Sequence, residues 1–259
     1  AIDRQEIIDI VYFGQGTPRQ ISPIEDSPLF NEQLSTQYLD YDVAKANAEL
    51  DKVLPDKDAN GMRLNPKTKE KLSIVFTVQT GDYGLRFLDV AELLKKYYAT
   101  VGIDIVVDSV DNAVLTDRIN DNSVEAAIFT GEGGYGITAI TDPRYFVPFH
   151  GQSIWGNGWQ LWYLQTDNKA KVEPPADIKA QVDLYKKVLQ APTTDERLSL
   201  MKQVLQNAAD NFWVIGISSA SDSYRPLSKR LGNVPESWVN GWNPGGTAIA
   251  FPEQWYFKS

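Results

Sequence analysis

Leu72-Ser73-Ile74-Val75-Phe76-Thr77-Val78 puts Leu72, Ile74, Phe76 and Val78 on one face of an extended chain, so the stretch reads as a strand. The residues after this strand set the fold class. From Leu85 to Val101 the period changes to helical, with Val90, Leu94, Tyr97 and Val101 in register and Gly102 closing the run. Ile103 to Val107 is β-branched and reads as a buried strand. Asn112 to Asn120 predicts a short helix with Leu115 and Ile119 inward, and Val124 to Phe129 a further strand. Strand, helix, strand, helix, strand is the pattern of an α/β layer.

Upstream, Asp42 to Leu54 predicts a helix with Val43, Ala46, Leu50 and Val53 as its stripe, capped by Asp40 or Asp42 and ended by Pro55. Residues 15–40 are rich in Pro, Ser, Gln and Asp and read as an extended surface segment. At the start, Ile7, Ile10 and Val11 share a helical face, with Asp3 as start signal and Gly14 as C-cap. Downstream, residues 131–162 are irregular and aromatic. Two helices come next, with Ile178, Val182, Tyr185 and Leu189 on one and Leu198, Met201, Leu205 and Ala208 on the other. Thr193 and Glu196 have capping-box spacing. Phe212 to Ile217 reads as one more strand of the central sheet. The last forty or so residues carry no long periodic element.

The chain has 259 residues, room for one large domain or two small ones. Its 25 Lys and Arg stand against 34 Asp and Glu, a net charge of −9. That balance lacks the basic footprint of a nucleic-acid binder. There is no Cys, hence no disulfide framework, thiol nucleophile or thiolate metal site, and with His150 as the single His the multi-histidine zinc sites are excluded. No apolar run approaches the ~18 residues of a membrane helix. No signal peptide is visible at the start.

Several short patterns suggest chemistry. Asp56, Asp58, Asn60 and Gly61 match the first half of a calcium loop, but the twelfth position is Lys67, so a tight polar turn is expected instead. Gly14-Gln15-Gly16 comes after a helix rather than a strand and precedes Pro18, which rejects a dinucleotide fingerprint. His150 has Ser153 and Asp142 near it in sequence, but no nucleophile elbow exists. Glu132 and Asp142 could form a glycosidase pair, as many pairs in an acidic chain could.

The most informative stretch is Phe129-Thr130-Gly131-Glu132-Gly133-Gly134-Tyr135-Gly136, leading to Asp142-Pro143-Arg144-Tyr145. It begins where a strand ends, the place where α/β sheets hold ligands. Its glycines would let backbone approach a ligand closely. Trp155, Trp159 and Trp162 lie a little further on, and aromatic faces stack on sugar rings or pack helices onto cores.

Four motifs in order carry a resemblance over most of the chain. They are Ala1-Ile2-Asp3-Arg4-Gln5-Glu6-Ile7 with Gly14; Tyr41-Asp42-Val43-Ala44-Lys45-Ala46-Asn47-Ala48-Glu49-Leu50 with Leu54 and the Asp58-Ala59-Asn60-Gly61-Met62-Arg63-Leu64 turn; Val101-Gly102-Ile103-Asp104-Ile105; and Asp142-Pro143. Together they resemble the oligopeptide-binding family (family 5) of ABC-importer solute-binding proteins. The resemblance implies a periplasmic-binding-protein-like α/β lobe with a mixed sheet flanked by helices. Members of that family are much longer, so this chain resembles their second lobe, residues 1–218, plus a C-terminal segment, 219–259, that returns to the first lobe. A signal peptide is then expected upstream of the fragment.

By the same resemblance the chain is no enzyme and needs no cofactor or metal. It would capture a solute between two lobes, outside the cytoplasm, for an ABC permease. Gly131, Glu132, Gly133, Gly134, Tyr135, Asp142 and Trp155 are the expected ligand-binding residues. Peptide-binding members carry a WxxDYxDP-like stretch whose first Asp pairs with the peptide ammonium. Four residues before Pro143 this chain has Ala139. An oligosaccharide or related polar solute is therefore expected in preference to a peptide. The reading from another class is a carbohydrate-active hydrolase using Glu132 and Asp142.

Overall fold

Caps set most of the element boundaries. The computed structural model describes residues 1–81, 86–149, 153, 155–164, 167–219, 223–239, 241 and 248–258. The Asp3 carboxylate accepts from the Glu6 amide at 2.9 Å and starts α1, Arg4–Val11. Asn31 caps α2, Glu32–Thr36, and Asp42 caps α3, Val43–Val53. Strand β1, Ser73–Gln79, leads to α4, Phe87–Ala99. Strand β2, Asp104–Val110, leads through the Asp111 cap to α5, Asn112–Asn120, and then to β3, Ala126–Ile128. Beyond lie α6, Thr138–Thr141, and α7, Asn157–Tyr163. The antiparallel pair α8, Ala176–Gln190, and α9, Thr194–Asn211, comes next, the Thr193 hydroxyl capping the second. Two-residue strands β4, Leu231–Gly232, and β5, Tyr256–Phe257, pair antiparallel near the end.

The main sheet has the order β2-β1-β3, and both pairings are parallel, Ser73 facing Asp104 and Phe76 facing Ala126. Its alternating and helical apolar positions meet in one cluster: Phe76, Val78, Ile103 and Ile105 from the sheet against Ile7 and Val11 of α1 and Val90, Leu94 and Tyr97 of α4. A second cluster joins α8 and α9 to residues 139–147, with Val182, Tyr185, Met201, Val204 and Leu205 at its centre. The α/β lobe expected from the sequence is present.

Outer strand β2 is guarded by charge. Asp104 pairs with Lys71 at 2.8 Å, and Asp108 pairs with Arg118. Arg63 is wholly buried; its guanidinium donates to the Val101 carbonyl at 2.8 Å, Asn47 Oδ1 at 2.9 Å and Asp51 Oδ1 at 2.8 Å. Helix α3 has no fully buried residue; Val43, Ala46 and Leu50 pack partly buried against the sheet cluster, and this cation adds to the attachment.

Some expectations need correction. Phe212 to Ile217 is not a strand of the sheet. Phe212 takes a left-handed conformation (φ 51) as the C-cap of α9. The backbone beyond it is then held by side chains: Arg4 Nε donates to the Gly216 carbonyl at 2.9 Å, and the Gly216 amide donates to Gln20 Oε1 at 2.6 Å. Residues 15–40 are not simply a surface segment, since Leu29 and Leu34 are buried in the second cluster and α2 forms within them. Leu189 faces solvent and Val188 takes the buried place on α8; Val53 is also exposed. The Asp56–Gly61 stretch is a polar turn: Asp58 Oδ1 accepts from the Asn60 and Met62 amides, and Asp56 pairs with Lys69 at 2.9 Å. Leu85, His150 and Trp242 lie outside the described residues.

Candidate ligand site

Parallel strands put the C-terminal ends of β1, β2 and β3 along one side of the sheet, and the loop after β3 starts there. Phe129 stacks on buried Phe87 with centroids 6.5 Å apart, and remains 43% exposed. Close by in the same part of the fold, Arg86 lies 5.6 Å from the Phe13 ring, which is 76% exposed, and is tied to Asp89 at 2.6 Å. Phe129 opens the stretch that the sequence singled out, whereas Phe13 was not singled out. The usable signal was Phe13 beside Gly14, an aromatic group at a helix end where no core can cover it.

Residues 130–145 form a tightly tied loop. Tyr145 donates to the Thr130 carbonyl at 3.0 Å across its base. Thr138 accepts from the Tyr135 amide at 2.8 Å, and the Ser27 hydroxyl donates to the Gly136 carbonyl at 2.6 Å. Burial pushes the Tyr145 phenol up to about 12, with the Arg144 guanidinium pulling the other way.

Gly131, Gly133 and Gly134 of this loop are packed against the protein's own atoms, whereas Gly136 has open space around it. A β-carbon on Gly131 would meet Ile21 Cδ1 at 2.6 Å, and one on Gly134 the Ala139 nitrogen at 2.8 Å. Gly133 is packed against Ser22, and the Ile24 amide donates to the Gly134 carbonyl at 3.0 Å. The close approach expected for a ligand is made by residues 21–24.

Asp142 and Arg144 form a two-point ion pair, Arg144 Nε donating to Asp142 Oδ1 at 2.6 Å and Nη2 to Oδ2. The Asp142 hydrogen bond raises the arginine pKa, and Arg144 is only 9% exposed. A carboxylate held this way is neutralised internally. It shares with Glu132, Gly134 and Thr138 a crevice of about 10 Å³, room for about one water and no sugar ring. The Glu132 charge acts on Tyr135 and Arg144, and Tyr135 is pushed up first by burial and then by Glu132.

Trp155 is half-buried. Its indole N–H donates to the Arg144 carbonyl at 2.9 Å, and one face stacks on Trp213 at 5.0 Å and 14°. Trp159 meets it edge-on at 6.5 Å. The loop, its ion pair and Trp155 are thus brought together, with Trp213 supplied by the segment after α9. Trp162 points elsewhere and lines a recess with residues of α8. Ala139 is 1% exposed and belongs to the second core cluster.

Residues 1–157 match the profile of the bacterial extracellular solute-binding proteins, family 5, middle region. No curated protein matches the sequence. Among solved structures the chain is similar to the oligopeptide-binding protein OppA, at 24% identity and TM-score 0.78, covering 100% of this chain and 42% of that one. It is similar to the periplasmic binding protein MelB from Agrobacterium fabrum C58 in complex with stachyose, at 19% identity, TM-score 0.66, and 90% and 34% coverage. A third is the oligopeptide-binding protein AppA from Bacillus subtilis in complex with a nonapeptide, at 15% identity, TM-score 0.64, and 100% and 46% coverage. The chain spans less than half the length of each of these proteins. With the profile matched over more than half its length and the α/β lobe in place, this chain belongs to the bacterial extracellular solute-binding proteins, family 5.

Proposed function

We propose that the chain is the second lobe of a solute receptor, residues 1–218, with residues 219–259 returning to the first lobe. The receptor captures its cargo outside the cytoplasm by hinged closure of two lobes and delivers it to an ABC permease. No described helix is long and apolar enough to cross a membrane.

The cargo is an oligosaccharide or a related polar, uncharged solute. The carrying observation is Ala139, 1% exposed in the core at the point where the peptide-receptor pattern has its ammonium-pairing acid. A buried ammonium without a counter-charge costs several kcal/mol. Asp142, the nearest alternative, already serves Arg144. Sugars need no counter-ion; they need flat apolar faces ringed by hydrogen-bonding groups, and the partly exposed Phe129 ring at the end of β3 supplies one such face. The similarity to MelB, solved with stachyose, supports the same choice.

Calorimetry on the full-length receptor tests this with a panel of oligosaccharides against tri- to pentapeptides. Saturable binding of a saccharide is expected. The peptide reading, favoured by the likeness to OppA and AppA, rests on Glu132 taking over the missing acid. Tight binding of free-amine peptides, abolished by Glu132→Gln, would establish it and overturn the saccharide assignment. Chromogenic glycosides are expected to show no turnover, because Asp142 is sealed by Arg144 and the crevice beside Glu132 holds no ring.

A further inference from the structure

A recess of about 650 Å³ lies between α7 and α8, lined by Trp162, Tyr163, Lys171, Lys179, Asp183 and Lys186. None of these residues belongs to the glycine loop or its aromatic neighbours. The volume is in the range of small-molecule sites. Its lining carries three cations and one carboxylate, and Glu173 pairs with Lys179 beside it, so the recess keeps a net charge of about +1 in a chain whose net charge is −9.

The lysines are held in place. Trp162 and Tyr163 meet edge to face, centroids 5.0 Å apart and planes at 88°, so each ring offers a face in a different direction. Lys179 Nζ sits 5.2 Å from the Trp162 centroid, and Lys186 Nζ sits 5.0 Å from that of Tyr163. Lys179 also pairs with Glu173, and Lys186 donates to Asp183 Oδ1 at 3.1 Å. An ammonium has three donors, and each of these two gives one described hydrogen bond. Surface lysines ordinarily lose much rotamer freedom on binding; two that are already fixed on aromatic faces lose less. Lys179 and Lys186 are seven residues apart on α8, which is about 10 Å along the helix. With the ring faces already covered by ammonium groups, the recess favours charge over stacking.

We propose that this recess is a second ligand site, for a compact organic polyanion with carboxylates on a short spacer, one for each of Lys179 and Lys186. Asp183, between them on the same helix, sets the limit on affinity by repelling the ligand. The site rests on residues other than those of the proposed saccharide site and stands or falls independently of it.

The test is calorimetry on the full-length protein at low salt with citrate as probe and acetate as control. Citrate is expected to bind one per chain and acetate not to saturate. Lys179→Gln and Lys186→Gln should each weaken citrate about tenfold or more, and Asp183→Asn should tighten it several-fold. Lys179→Arg with Lys186→Arg should restore binding to within about threefold, and Lys45→Gln, an exposed lysine on α3, should leave it unchanged. Circular dichroism melts establish that each variant folds. Absence of saturable citrate binding, equal binding of acetate, or unchanged affinity in the folded Lys179→Gln, Lys186→Gln double variant would each overturn the proposal.

Discussion

Gly133 lies so close to Ser22 that a β-carbon on it would sit 1.8 Å from the Ser22 carbonyl oxygen. Main chain cannot yield the way a flexible side chain can. Gly133→Ala should therefore lower stability by about 2–3 kcal/mol, the upper part of the overpacking range. Gly136→Ala, at φ +50 with open space around it, should cost only the left-handed backbone penalty, about 1 kcal/mol. Urea midpoints of the two variants measure the difference. Equal losses would show that the loop can lift off residues 21–24.

The stacked pair Trp155 and Trp213 joins the loop after β3 to the segment after α9. Each Trp→Ala change should cost about 2–3 kcal/mol, and the double variant should cost less than the sum by about 1 kcal/mol. A double-mutant cycle read by urea unfolding gives that coupling. Strict additivity would mean that the two indoles are held by their own surroundings.

Glu6 accepts from Lys96 at 2.8 Å and from the Tyr97 hydroxyl at 2.6 Å, joining α1 to α4. The Lys96 bond, and next the Tyr97 bond, hold its carboxyl below the usual glutamate range. A depressed folded pKa gives stability that is present above the unfolded value and is lost as pH falls through the folded one. Unfolding measured from pH 7 down to pH 3 should show this loss, and Glu6→Gln should flatten it. Tyr97 has the opposite sign: burial, and then Glu6, push its phenol up, so its contribution is lost as pH rises past the ordinary tyrosine range of about 10.

Residues 223–239 and 248–258 expose Tyr224, Phe251, Tyr256 and Phe257, and their β4–β5 pairing is two residues long. In the isolated chain their amides should exchange with hydrogen at least a hundredfold faster than those of Ile74 to Val78. In the full-length receptor, where the first lobe would cover these residues, the gap should close. Protection equal to that of the sheet in the isolated chain would remove this segment from the first lobe.

Much of the lobe was legible because its signals are local. The stretch from β1 to α5 shows its period, its Gly102 stop and its Asp111 cap within a few residues of each element. The strand expected at 212–217 failed for a non-local reason: an apolar run extends readily, but Arg4 and Gln20, some two hundred residues away, hold its backbone away from the sheet. Helix α2 was hidden because five residues with one strongly buried apolar group, Leu34, have no visible period. For the candidate site, the sequence pointed to the loop after β3 as an expectation and did not show what its parts pack against. The sequence reads Asp142 as a ligand-side carboxylate and misses its pairing with Arg144, while Ser22 behind Gly133 and Trp213 behind Trp155 come from distant segments.

The paired charges on β2 bear on how copies of this protein behave at high concentration. An outer strand carries unpaired amides and carbonyls that invite a second copy to add itself as another strand. Here an antiparallel newcomer would bring its own Asp104 and Asp108 against the same row, with Lys71 and Arg118 already committed. Covering these ion pairs with a second copy would cost their desolvation, which disfavours strand addition along β2.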